Sequence, residues 1–216
     1  MQDILFSELA DLCEALKKTK KRKKIALLLG SFLKGIPLDE VPMAVNLVLG
    51  KAFPKRALDV SGTSIIEILP DLVRMNEREY AGSFSEALDF GEAVRLLLEK
   101  SGFVHTGEKL TIKRVYLAFE EIAKTKGLGS RKKKRDLLCS LLRSASPLEA
   151  EYIVKNVVGD MRIGVDEGMI LDALSTTFTL DINMLRRAMM LKLMGTMYAI
   201  PAAPRGMSNV SAASGP

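Results

Sequence analysis

Four short segments place basic, glycine or hydroxyl residues at the start of a predicted helix, a combination suited to binding phosphate. One of them, residues 126–132, reads K-G-L-G-S-R-K. The first turn of a helix has unpaired N–H groups and a partial positive charge, and glycine lacks the side chain that would keep a phosphate away. A single segment of this kind is more often an ordinary helix cap. Four related segments favour a surface that follows a phosphate backbone.

The candidate contacts divide into cations that would neutralise phosphates and small residues that would donate N–H or hydroxyl hydrogen bonds. They are Lys20, Lys21, Arg22, Lys23, Lys24, Ser61, Gly62, Thr63, Ser64, Lys126, Gly127, Gly129, Ser130, Arg131, Lys132, Lys133, Arg162, Gly164 and Val165. Contacts of this kind bind the backbone and do not read base sequence. The chain has no tryptophan and one glutamine, Gln2, so neither base stacking nor base reading is expected. The prediction is sequence-independent binding of duplex nucleic acid, across a minor groove.

The charge distribution also favours an anionic partner. The net charge is +6 and the isoelectric point is near 9.3. The excess is concentrated in two basic runs, at residues 17–25 and 124–135. A single basic run is usually a solvated helix face. Two runs at equivalent positions of a repeat reverse that preference.

The same helical layout occurs twice along the chain. One alignment pairs Thr19 with Thr125 and brings the basic runs into correspondence, and further along Val60 pairs with Val165. The predicted fold is therefore all-α and pseudo-twofold, with about ten helices built from a duplicated multi-helix unit. Apolar periodicity places helices at about 4–16, 25–33, 39–49, 61–75, 83–100, 111–126, 131–144, 147–158, 166–177 and 182–194.

The predicted organisation is one DNA-binding domain with two repeats. Residues 1–100 form the first repeat, residues 101–110 a connector, and residues 111–195 the second repeat. Residues 196–216 are rich in Ala, Ser, Gly and Pro and are expected to be a flexible linker or tail.

Motifs for catalysis and for metal binding are missing from the sequence. It has no phosphate-loop motif, no H-E-x-x-H and no G-x-S-x-G, and Asp-Gly never occurs, which excludes the K-x-D-G motif of nucleotidyl transfer. Cys13, Cys139 and His105 cannot make a four-ligand zinc site, and both cysteines are expected in the core of a reducing, cytoplasmic protein. We expect no autonomous enzyme, no signal peptide and no membrane span.

Several stretches carry a resemblance to a known family. They are residues 6–12 (F-S-E-L-A-D-L), 89–94 (D-F-G-E-A-V), 123–130 (A-K-T-K-G-L-G-S) and 159–165 (G-D-M-R-I-G-V), the last being the most specific. Together they resemble the N-terminal DNA-binding domain of ATP-dependent DNA ligases, most closely the archaeal type. The resemblance extends from the N-terminus to about Met190.

The resemblance implies an all-helical, pseudo-twofold domain that binds the minor groove on both sides of a nick in replication and repair. It implies that catalysis, with ATP and Mg²⁺, belongs to two following domains, so this chain needs no cofactor and is inactive alone. Archaeal relatives often bind a sliding clamp through a glutamine and paired aromatics. Residues 99–104 have one aromatic and no glutamine, which argues against that partner. Residues 187–195 also lack the acid of the family's T-x-D-[IL]-G pattern.

Two other classes of function fit the same residues. A helical-repeat scaffold could bind an acidic protein surface through the basic runs. An RNA-binding helical protein would favour A-form or single-stranded RNA over B-form duplex.

Overall fold

The computed structural model describes residues 4–51, 58–74 and 77–193, which are helical almost throughout. Apart from one isolated bridge, no β-structure occurs in these ranges, so the predicted all-α class is confirmed. The tail predicted at 196–216 and the loop around Pro54 lie outside the described residues. The helices are α1 (Phe6–Lys17), α2 (Arg22–Lys34), α3 (Val41–Val48), α4 (Gly62–Ile66), α5 (Leu69–Leu72), α6 (Glu77–Glu86), α7 (Phe90–Lys100), α8 (Ile112–Lys124), α9 (Ser130–Ser144), α10 (Pro147–Val158), α11 (Glu167–Phe178) and α12 (Ile182–Leu193).

One hydrophobic core includes residues of both predicted repeats. The i, i+3, i+4 pattern of α1 buries Leu9, Cys13 and Leu16 completely, as the sequence predicts, and Phe6 is buried beside them. Cys139 is only half-buried and packs at the margin of the core. Within the described ranges, none of the helices is long and apolar enough to cross a bilayer.

An exchange of hydrogen bonds joins the starts of the two predicted repeats. Leu5 and Thr111, which precede α1 and α8, form an antiparallel bridge. The Phe6 N–H donates to the Leu110 carbonyl at an N–O distance of 2.8 Å, and the Ile112 N–H donates to the Ile4 carbonyl at 3.0 Å. The alignment that pairs Thr19 with Thr125 also pairs Leu5 with Thr111. A reciprocal exchange between equivalent residues is what a twofold axis at this point requires.

Two pairs of helix contacts are consistent with the predicted exchange of repeats. Helix α1 packs on α10 and α8 packs on α3, while α2 packs on α11 and α9 packs on α5. Exchanging the two predicted repeats turns the α1–α10 contact into the α8–α3 contact, and the α2–α11 contact into the α9–α5 contact. These pairings agree with the predicted duplication, which itself stays a prediction.

Two predicted helices are each broken into two. The helix expected at 61–75 is α4 followed by α5, and Pro70, which has no N–H to donate, lies in the first turn of α5. The helix expected to start at Ser83 or Ser85 is α6 followed by α7, whose first turn is capped by Asp89. The predicted start was wrong, since α6 begins at Glu77. Apolar spacing also does not show the break at residues 87–89, where Asp89 caps α7 and has a distant partner as well.

That partner is Lys155 on α10, at the centre of a buried ion cluster. The Lys155 ammonium lies 3.1 Å from an Asp89 carboxylate oxygen and 2.7 Å from one of Glu151. Lys17 and Arg95 approach Glu151 at 3.6 and 3.4 Å. Buried charges are tolerated only when paired, so this cluster fixes α7 and α1 against α10.

The charges of the cluster determine the pKa values of its members. Burial alone would raise the pKa of Asp89, but the Glu92 N–H and the charge of Lys155 outweigh it and hold the pKa below its ordinary value. Burial alone would lower the pKa of Lys155, but the hydrogen bond and charge of Glu151, and then of Asp89, hold the pKa above its ordinary value. Both groups therefore stay charged at neutral pH.

Candidate nucleic-acid interface

The basic run at the start of α9 is joined to the segment that precedes α4. The Lys134 ammonium donates to the Leu58 carbonyl at 3.0 Å and lies 3.2 Å from the Asp59 carboxylate. One turn earlier, the Arg131 guanidinium lies 2.6 Å from a carboxylate oxygen of Glu67 at the end of α4. These contacts bring the predicted segments 126–133 and 61–64 side by side.

The third predicted segment, around Arg162, reaches the same region through residues 88–90. A Cβ added to Gly62 would lie 3.7 Å from the Phe90 ring, so that ring packs beside the start of α4. The Arg162 guanidinium donates to the Leu88 carbonyl at 3.0 Å. We call residues 58–67, 126–133 and 160–165, together with residues 88–90, the three-loop surface. Contacts from α9 join 126–133 to 58–67, and residues 88–90 join 58–67 to 160–165.

The fourth predicted segment, residues 20–24, has no hydrogen bond or ion pair to the three-loop surface among the described residues. It is linked to that surface through helix packing. Helix α2 packs on α11 so closely that a Cβ added to Gly30 would lie 2.7 Å from the Thr177 hydroxyl. Helix α11 in turn follows directly after residues 160–165.

The first turns of α2 and α9 are basic and uncapped. Neither contains an acidic residue, and neither N-cap, Lys21 or Gly129, makes a side-chain capping hydrogen bond. Gly129 has a φ of 77°, a left-handed conformation that glycine adopts readily. Cations near a helix N-terminus oppose the helix dipole, so both turns are electrostatically unfavourable unless an anion binds there. These are the two turns that the predicted repeat makes equivalent.

The first turns of α4 and α11 differ, since each is capped by its own chain. The Ser61 hydroxyl accepts from the Ser64 N–H at 3.2 Å, and the Asp166 carboxylate accepts from the Met169 N–H at 2.8 Å. Of the two residues that the sequence offers as the cap of this helix, Ser61 and Thr63, the structure shows Ser61 in that role. The predicted donation of N–H groups to phosphate is restricted at these two helices because one donor of each first turn already has a partner.

The candidate cations fall into two groups. Lys20–Lys24, Lys126 and Lys132 are exposed and make no ion pair with any described residue. Arg131 and Lys133 pair with glutamates, and the Arg162 guanidinium lies 2.8 Å from the Asp160 carboxylate. Exposed pairs of this kind contribute about 0–1 kcal/mol, so a phosphate can replace the carboxylate at little cost.

Arg162 is directed outward by its two neighbours. Met161 and Ile163 are both buried in the core, which leaves Arg162 exposed between them. Its backbone has a φ of 47°, and a non-glycine residue with positive φ is strained. Gly164 is exposed, whereas Val165 packs partly against the core.

Sequence reasoning missed the residues that hold this surface together. Lys134 lies in a basic run, and nothing in the sequence indicates that it is buried. Leu88, Asp59 and Glu67 belong to no motif. Among the described residues no group of three or more histidine, cysteine or acidic side chains could hold a metal ion.

The chain matches the family described as DNA ligase N terminus over residues 5–175. It is also 36% identical over 198 residues to a DNA ligase of Thermococcus onnurineus (strain NA1), a match that covers 88% of this chain and 35% of that protein. The chain belongs to the family of DNA ligase N-terminal domains. The resemblance drawn from the sequence motifs is thereby confirmed.

Other members of the family show the same partial coverage. A DNA ligase of Archaeoglobus fulgidus is 32% identical over 194 residues, covering 87% of this chain and 35% of that protein. A probable DNA ligase of Aquifex aeolicus is 34% identical over 174 residues, covering 79% and 30%. The chain thus spans about one third of the length of these relatives. Three of the four motif stretches, at 89–94, 123–130 and 159–165, lie on or overlap the three-loop surface of this ligase N-terminal domain.

Proposed function

We propose that this ligase N-terminal domain is a non-catalytic, sequence-independent binding module for duplex DNA, which grips the backbone beside the minor groove at a nick. The observation that carries the proposal is the pair of basic, acid-free and uncapped first turns of α2 and α9. Such turns are stabilised by an anion, and two of them at equivalent positions suit a regular polyanion.

The three-loop surface supports the same proposal. It brings Arg131, Lys132 and Arg162 into one contiguous region, where each has only exposed competitors or none. Side chains of this kind neutralise phosphates, which fixes the position of the protein without reading bases. A duplex offers the regularly spaced phosphates that such a surface needs.

Nick sealing itself would belong to other domains of a longer ligase. ATP, Mg²⁺ and the lysine that becomes adenylated would be supplied there, and the present domain would hold the substrate during replication and repair in the cytoplasm. A sliding clamp remains a weak candidate partner, because connector residues 99–104 have one aromatic and no glutamine.

The proposal is tested by fluorescence anisotropy with nicked duplex, intact duplex, single-stranded DNA and duplex RNA at several salt concentrations. We expect duplex DNA to bind best, with equal or higher affinity at the nick. If about five cations each neutralise one phosphate, log K falls with log salt at a slope of about −4.5.

Other outcomes would favour the other classes of protein. Preference for duplex RNA would favour the RNA-binding alternative. Binding that does not respond to salt, or no binding to any nucleic acid at low salt, would contradict the proposal. The basic runs would then be solvated faces or a surface for an acidic protein.

A further inference from the structure

Two leucines of the three-loop surface extend into solvent. Leu88 keeps 75% of its surface exposed, and Leu128 is fully exposed. Large apolar side chains that stay exposed lack the stabilisation that burial would give. Single exposed leucines are common on protein surfaces. These two are distinctive because both lie among residues that the proposed function assigns to DNA.

The Leu128 side chain projects from an open loop tip, whereas the Leu88 backbone is held by hydrogen bonds that leave its side chain exposed. Leu128 lies between Gly127 and Gly129, whose φ angles are 85° and 77°. No heavy atom lies within 4 Å of a Cβ added to either glycine, so the loop tip stands clear of the protein. The Leu88 carbonyl accepts from Arg162 at 3.0 Å, and its N–H donates to Glu92 at 3.0 Å.

The surroundings of the leucines indicate a charged occupant with an apolar edge. Leu128 is followed by Arg131 and Lys132 and preceded by Lys126, and Leu88 contacts Arg162 through its carbonyl. A purely apolar partner would have to desolvate these cations. The DNA minor groove matches the arrangement, since phosphates border it on both sides and the apolar edges of the sugars line its walls. Minor-groove proteins frequently insert Leu, Ile, Met or Phe from this groove between base steps.

We propose that Leu88 and Leu128 are the apolar contacts of this domain with the minor groove, packing against sugar and base edges between the phosphates bound by neighbouring cations. This inference rests on the proposed function and adds to it. The cations supply salt-dependent affinity, and the leucines supply a salt-independent part that depends on groove shape.

The test compares Leu88→Ala, Leu128→Ala and the double variant with Leu38→Ala. Leu38 is a matched control because it is also an exposed leucine, 65% exposed, and lies between α2 and α3, outside the three-loop surface. We expect each variant at Leu88 or Leu128 to bind duplex DNA about fivefold more weakly and the double variant about 25-fold more weakly, since partial burial of a leucine is lost each time. The slope of log K against log salt should not change, because no charge is removed. Thermal unfolding should not change either, because both side chains are exposed.

A second arm uses an A·T-rich duplex saturated with netropsin, which occupies the minor groove. Wild type is expected to bind this duplex more weakly than the free duplex. The double variant should lose much less, because it lacks the side chains that enter the groove.

The outcomes separate this inference from the proposed function. Wild-type protein that shows no salt-dependent duplex binding overturns the proposed function and this inference with it. Wild-type protein that binds while the double variant binds equally tightly overturns the leucine contacts alone. Unchanged wild-type binding in netropsin overturns the minor-groove assignment.

Discussion

Lys134 lies in the basic run of α9, yet its side chain is buried. Replacing it should show whether a lysine of this run positions the neighbouring segment or binds phosphate. The ammonium donates to the Leu58 carbonyl at 3.0 Å and lies 3.2 Å from the Asp59 carboxylate. Lys134→Met keeps most of the aliphatic chain and removes the donor. The change leaves the Leu58 carbonyl without this hydrogen bond and releases the segment that leads into α4.

The magnitude follows from the two contacts. A hydrogen bond with a charged donor contributes about 1.5–3 kcal/mol. The carboxylate of Asp59 is 89% exposed, so the ion pair with Lys134 adds little. We expect the free energy of unfolding to fall by about 2 kcal/mol, which lowers Tm by roughly 4–8 °C in a chain of this length. DNA affinity should also fall, because residues 61–64 lose their support beside α9.

The assay combines thermal unfolding with anisotropy titrations over a range of salt. Lys134→Met should lower Tm and affinity while leaving the slope of log K against log salt unchanged, because Lys134 neutralises no phosphate. Lys132→Met is the matched comparison, since Lys132 is exposed and has no ion pair with the described residues. It should not lower Tm, because Lys132 opposes the dipole of α9, and it should reduce the slope of log K against log salt by about 0.9. An unaltered Tm together with a smaller slope for Lys134→Met would refute this assignment.

Three further predictions concern the core. Asp89→Asn should cost about 3 kcal/mol at pH 7 by breaking a buried ion pair. The pKa of Asp89 in the folded protein is below its ordinary value of 3.8, so its contribution to the free energy of unfolding is present above that pH and is lost as pH falls through the folded pKa. In urea titrations, the difference in unfolding free energy between wild type and Asp89→Asn should therefore narrow below about pH 4. Gly91→Ala should lower Tm, because its Cβ would lie 2.6 Å from Lys155 Cγ, whereas Gly82→Ala, with nothing within 4 Å, should not. Cys13 is fully buried and burial raises its pKa, so iodoacetamide should modify it only after unfolding, and fast labelling of folded protein would contradict this.

Features that depend on local sequence could be predicted. The buried stripe of α1, the Ser61 cap and the position of Pro147 in the first turn of α10 each follow from a few neighbouring residues. The break between α6 and α7 also has a local signal, the Asp89 cap that accepts from the Glu92 N–H, which apolar spacing alone does not show. The sequence does not show that Lys155, on another helix, holds the same carboxylate.

The candidate site was predictable as a set of segments but not as a surface. Glycine, hydroxyl and basic residues before helices identified the segments 61–64, 126–133 and 162–165. Their adjacency depends on Lys134 and Arg131 reaching across from α9 to Asp59 and Glu67. Lysines are almost always exposed, so a buried lysine within a basic run is the reverse of the expectation from composition.

Residues 88–90 connect the buried ion cluster to the three-loop surface. One carboxylate oxygen of Asp89 accepts from the Glu92 N–H at 2.9 Å, which starts α7, and the other lies 3.1 Å from the Lys155 ammonium. The residue on one side, Leu88, holds Arg162, and the residue on the other side, Phe90, packs beside the start of α4. Because these three residues are consecutive, the position of Lys155 in the core constrains two loops of the surface. The buried charges thus fix the spacing between cations that, in the proposed function, must match the spacing of phosphates on DNA.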